Sequence, residues 1–168
     1  MTEPPPVWLL DVDGVVNVSR PGWGAPPRRS LVWADSEAVG YRVRWAPALL
    51  DRIRALHRSG AVEVRWCTTW CPDAERLERL WRLPPLARSL DAHPMPRGAA
   101  CWPLKLAAAQ AVLAAGRRLV WTDDEALPAA GADRDALTAD GRSLLIAPRP
   151  SRGLQPADLD RIAAFAAG

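Results

Sequence analysis

Residues 7–11, Val-Trp-Leu-Leu-Asp, run from an unbroken apolar segment straight into a carboxylate. A second acid, Asp13, and then Gly14 follow. An apolar run without alternation reads as a central strand covered on both faces. A carboxylate does not tolerate that environment without compensation, so the strand must end where its acid meets other polar groups. The same pattern recurs at residues 118–122, a second buried strand that ends on Asp123 and Asp124. Any fold of this chain has to bring those two strand ends to a polar edge.

The segments between them alternate strand and helix. Residues 18–30 are rich in Pro, Gly and Arg and read as a loop. Two short β-type runs, 31–34 and 41–45, flank the turn sequence DSEAVG and predict a hairpin. Residues 47–58 carry Leu49, Leu50, Ile53 and Leu56 at helical spacing, with Pro47 at the start and Gly60 beyond the end. Residues 61–67 form the second long strand, and 72–81 a helix. A proline-broken stretch, 83–97, has room for a short strand at 87–90. A helix over 103–115, the strand over 118–122, a last strand over 143–147 and a last helix over 156–167 complete the chain. Strands alternating with helices imply βαβ units and a mainly parallel sheet of five strands. In such sheets ligands bind at the carboxyl ends of the strands.

At 168 residues, 49% hydrophobic and 24% charged, the chain has the make-up of one globular domain spanning 1–168. Residues 1–6, with Pro4, Pro5 and Pro6, read as a flexible start. No signal peptide and no membrane-length apolar run is seen, which makes cytoplasm the expected location. Cys67, Cys71 and Cys101 with His93 do not match a strong zinc spacing and read as reduced core thiols. The net charge of +3 suits an anionic ligand without establishing nucleic-acid binding. Of the 22 basic residues, 21 are arginine and one is lysine, Lys105.

The strand ends therefore carry Asp11 and Asp13, then Thr68 and Thr69, then Asp123 and Asp124, with Lys105 opening the helix before the last pair. Four carboxylates in a small space repel one another. A hard divalent cation such as Mg²⁺ relieves that repulsion through oxygen ligands. A lysine and a hydroxyl beside the metal make a pocket for a phosphoryl group, and carboxylates serve as nucleophiles for such groups. These residue types fit metal-assisted phosphoryl transfer.

Asp11-Val-Asp13-Gly14-Val15 resembles the first motif of the haloacid dehalogenase-like superfamily of phosphatases. Thr68 resembles its second motif, Lys105 its third, and Asp123 with Asp124 its fourth. The resemblance implies a Rossmann-like three-layer α/β sandwich. It implies Asp11 as nucleophile and Asp13 as general acid and base. Asp11, the backbone carbonyl of Asp13, and Asp123 would be ligands for Mg²⁺, with Asp124 as a further ligand or partner. Thr68, preferred over Thr69, and Lys105 would bind the phosphoryl oxygens. The second acid, Asp13, favours a phosphatase over a dehalogenase. A phosphotransferase would use the same residues, and a non-catalytic binding protein of the same fold is the remaining alternative.

In that superfamily cap insertions decide the substrate. Here the first interval holds only the hairpin of about 31–45, a flap, and no separate cap domain is expected. An open site suits a bulky substrate, such as a phosphorylated polymer end or peptide; alternatively an oligomer partner closes the site. The expected partner is a phosphorylated small molecule, or a nucleotide or oligonucleotide end. The hairpin region carries Trp23, Tyr41, Arg42 and Arg44 as candidate substrate contacts, with Thr69 nearby. Its alternate side chains would equally pack down on the sheet.

Overall fold

The computed structural model describes residues 3–168. Its centre is a five-stranded sheet in the order β5-β4-β1-β6-β7. The strands are β1 (Val7–Leu10), β4 (Glu63–Trp66), β5 (Ala87–Arg88), β6 (Leu119–Thr122) and β7 (Ser143–Ile146). All four pairings are parallel. β1 lies in the middle, as its apolar run requires, and every residue of β1 and β6 is buried. Trp8, Trp66 and Trp121 are core residues, as expected of strand tryptophans.

Helices flank the sheet. They are α1 (Pro47–Arg58), α2 (Ala74–Trp81), α3 (Trp102–Ala114), α4 (Ala132–Thr138) and α5 (Pro156–Ala167). α1 packs with α5, and α3 with α4. The fold is thus a Rossmann-like α/β sandwich. α1 buries Leu49, Leu50 and Ile53, the stripe its spacing predicts. α2 starts two residues later than the pattern implies, because Cys71–Asp73 form a tighter 3-10 turn around Pro72. α4 has no counterpart in the sequence reading. Only Leu137 of its seven residues is buried, so it offers no apolar periodicity to detect.

The antiparallel pair β2 (Arg28–Ala34) and β3 (Val39–Trp45) forms the separate hairpin, beginning three residues earlier than its β-type composition indicates. One face, with Val32, Ala34, Val43 and Trp45, is buried in the core. Its tip is tied down as well. The Asp73 carboxylate accepts the backbone N–H of Asp35 at 2.8 Å and the hydroxyl of Ser36. At the other end Asn17 Oδ1 accepts the N–H of Arg44 at 2.8 Å. The hairpin is therefore a fixed wall, held at both ends. Among the described residues there is no separate cap.

Of the segment expected to be flexible, residues 1 and 2 lie outside the described residues. Pro6 is buried and Pro5 half-buried, and the Pro5 carbonyl accepts Arg117 Nε at 3.1 Å. The chain is thus anchored from Pro5 onward, against the expectation for residues 5 and 6. Among the described residues no helix is long and apolar enough to cross a membrane.

Candidate active site

β1 delivers Asp11 one residue past its last strand position, and β6 delivers Asp123 in the same way. The two strands are paired in parallel, Leu10 beside Thr122, so the acids that follow lie side by side. The Asp11 N–H bonds to the Thr122 carbonyl at 3.2 Å. α3 brings Lys105 over the same edge from its first turn. The lone lysine stands between the two acids: its Nζ is 2.7 Å from Asp11 Oδ2 and 2.6 Å from Asp123 Oδ2. All three groups are buried, Asp123 completely and the other two to within 6%.

The remaining valences are satisfied locally. Asp11 Oδ1 accepts the N–H of Val12 at 2.8 Å. Asp123 Oδ1 accepts the N–H groups of Glu125 and Ala126 at 3.0 and 2.7 Å. These bonds fix both carboxylates without using Asp124. Asp124 lies against Gly14, where an added Cβ would sit 2.1 Å from its carboxylate. Gly14 also has φ +72°, so the turn after Asp13 needs glycine both for its backbone and for this close approach.

One oxygen from each of Asp11, Asp123 and Asp124 falls within 4.8 Å of the others. Three carboxylates and one ammonium leave two negative charges, which a hard divalent cation with oxygen ligands would balance. The titration of the acids reflects that excess. Burial pushes the Asp11 carboxyl up to about 7, against the pull of Lys105 and with the push of Asp123. Burial likewise raises Asp124 to about 6, with a further push from Asp123 and Glu125. Burial works against the Lys105 ammonium, but the two carboxylates prevail and hold it charged well above its usual range.

Asp13 is exposed and is not part of the three-carboxylate group. Its side chain is nevertheless held. Oδ1 accepts Asn17 Nδ2 at 2.6 Å, closing the turn, and Oδ2 accepts the indole N–H of Trp70 at 3.0 Å. A cavity of about 350 Å³ opens between these groups, lined by Asp11, Asp13, Lys105, Asp123, Asp124 and Thr69 among others. Beside it lies a smaller cavity of about 180 Å³ under the hairpin, which shares Asp13 and Thr69 and adds Tyr41, Trp70 and Arg97.

The two threonines differ in exposure. Thr69, half-buried, lines both cavities, whereas Thr68 is completely buried and its Oγ1 accepts the N–H of Trp70 at 3.3 Å. β4 ends at Trp66, one residue before the apolar pattern does, so both threonines lie in the turn beyond the strand. The other candidates divide. Tyr41 lines the side cavity, donates to Glu37 and packs edge-on against Trp70 with ring centroids 5.4 Å apart. Arg42 and Arg44 face a different trough on the outer side of the hairpin. Trp23 lines none of these, and its indole N–H donates to the Leu154 carbonyl at 2.8 Å.

Trp70 is the part of the site that residue type alone does not single out. A tryptophan after a strand reads as core, and only its bond to Asp13 shows otherwise. The three cysteines are buried free thiols, and His93 is exposed, which leaves no zinc cluster among the described residues. No family model, no curated protein and no solved structure matches the chain.

Proposed function

We propose that this protein is a Mg²⁺-dependent phosphomonoester hydrolase of the haloacid dehalogenase-like type, working through an aspartyl-phosphate on Asp11. The observation that carries the reading is the convergence of Asp11, Asp123, Asp124 and Lys105 at one sheet edge, with the Asp13 carboxylate held separately on the same cavity. Asp11, Asp123 and Asp124 are the residues that would hold Mg²⁺. When bound, the ion would neutralise the crowded carboxylates and the charge of the phosphoryl group.

In the reaction one Asp11 oxygen attacks phosphorus as the phosphorus–oxygen bond to the leaving group breaks. A proton from Asp13 passes to the departing oxygen. Water then attacks the phosphoryl group, Asp13 takes its proton, and the Asp11–phosphorus bond breaks to release inorganic phosphate. Lys105 Nζ and the Thr69 hydroxyl donate to the phosphoryl oxygens and stabilise their charge. Asn17 and Trp70 aim the Asp13 carboxylate throughout.

This assignment is tested by following phosphate release from a panel of phosphorylated small molecules and nucleotides with Mg²⁺, and again with excess EDTA. Turnover that EDTA abolishes and Mg²⁺ restores is the expected result. Absence of turnover across the panel, or turnover indifferent to EDTA, would refute it.

A further inference from the structure

The outer face of the hairpin presents a charge arrangement that packing does not explain. In the antiparallel pairing Arg29 stands directly opposite Arg44, and Leu31 opposite Arg42. Like charges directly opposite each other on a sheet face destabilise it. Arg29, Arg42 and Arg44 nevertheless form no ion pair among the described residues, whereas Arg52, Arg65, Arg76 and Arg117, for example, each reach a carboxylate. The hairpin's own acids, Asp35 and Glu37, sit in its turn and pair with Arg76 and Arg97, so no carboxylate compensates the three arginines of the outer face.

These three arginines line a trough of about 730 Å³ together with Asn17, Ser19 and Leu31. Pro150 belongs both to this trough and to the catalytic cavity, so the two adjoin. Asn17 makes a second connection, lining the trough while donating to Asp13. On the same outer face Leu31 is 66% and Trp33 50% exposed. Trp33 faces Gly40 across the hairpin, so no cross-strand side chain covers its ring. Arg44 donates to the Ser19 carbonyl at 2.7 Å, but none of the three arginines meets a carboxylate. Large exposed apolar groups interleaved with such arginines are the elements of a surface that holds phosphates and stacks bases.

We propose that the outer hairpin face binds single-stranded nucleic acid, leading a phosphorylated end over Pro150 into the catalytic cavity. The placement of that end rests on the phosphatase reading; the binding does not. Arginine forks take successive phosphates, and Trp33 offers a platform to a base. Single strands are favoured over duplex because bases are free to stack only where they are unpaired.

The test is fluorescence anisotropy of a short, labelled, 5′-phosphorylated oligodeoxythymidylate on the D11N protein, which needs no turnover. Binding is expected, with a slope of log K against log salt of about −2, the value for three phosphates on a single strand. The double variant R29Q/R42Q should weaken it about tenfold or more, and Trp33→Ala several-fold, with melting temperatures unchanged. Arg58→Gln, which removes one charge from the end of α1, should leave binding within about twofold of the parent. No binding, or equal binding by R29Q/R42Q, would overturn the proposal. So would equal affinity for the matching duplex, or displacement by inorganic polyphosphate with no effect of Trp33→Ala, because either would make the face a general polyanion surface. Phosphatase activity without oligonucleotide binding would sink this inference alone; binding without any phosphatase activity would sink the catalytic reading alone.

Discussion

The indole N–H of Trp70 donates to Asp13 Oδ2 at 3.0 Å, and the same indole packs edge-on against Tyr41 of the hairpin. One side chain thereby couples the proposed proton donor to the wall of the site. Trp70→Phe keeps the ring and deletes the donor. It should lower kcat about tenfold for substrates with poor leaving groups and much less for activated ones, because only the former depend on an aimed acid. Rates across a series of aryl phosphates check this. A uniform loss across the series would mean that Trp70 only supports the fold.

Lys105 compensates two buried carboxylates at 2.7 and 2.6 Å. Lys105→Met leaves both without it. Removing one partner of a buried pair costs about 3–5 kcal/mol, so thermal unfolding at pH 8 should drop sharply. Phosphate release should fall by at least about a hundredfold.

The raised carboxyl of Asp11 makes the metal-free protein sensitive to pH. Its folded value of about 7 lies above the ordinary range near 4. The folded state therefore holds a proton that the unfolded state releases between those values. This contribution is fully present below about pH 4 and is lost as pH rises through 7. Thermal melts in EDTA should show Asp11→Asn, which has no such group, gaining stability relative to the parent as pH rises from 5 to 8. Mg²⁺ should raise the parent's melting temperature more at pH 8 than at pH 5.5. A pH-independent difference between the two proteins would contradict the buried, proton-retaining state of Asp11.

Gly14 touches Asp124, and its φ of +72° disfavours any side chain. Gly14→Ala should cost about 1–2 kcal/mol of stability and displace the Asp124 carboxylate. Titration with Mg²⁺, followed by calorimetry, should show weakened binding. Unchanged Mg²⁺ affinity would remove Asp124 from the metal site.

The hairpin is held at its tip by the buried Asp73 carboxylate. Asp73→Ala strands the Asp35 N–H and should cost about 1–3 kcal/mol. Hydrogen exchange should accelerate across residues 35–40 and leave β1 and β6 protected.

Much of this arrangement was legible from the strand ends. Apolar runs that stop on acids located Asp11 and Asp123, and the parallel sheet they implied is the one observed. What failed to show was finer than a strand pattern resolves. Thr68 and Thr69 lie in the turn that follows β4, where strand alternation no longer tells which side chain meets the cavity. Trp70 is hidden because its burial is typical of tryptophan and its function lies in one N–H. Residue type groups Arg42 and Arg44 with Tyr41, whereas strand alternation places them on the opposite, outer face of the hairpin. Trp23 is engaged by Leu154, a contact 131 residues distant in the chain that no local pattern reports.

The central claim is that Asp11 carries the phosphoryl group, and the Asp11→Asn variant tests it most directly. Phosphate release by that variant, measured with Mg²⁺ on the best substrate of the parent, should fall to background while its circular dichroism and melting profile remain those of a folded protein. Release at the parental rate would contradict the account.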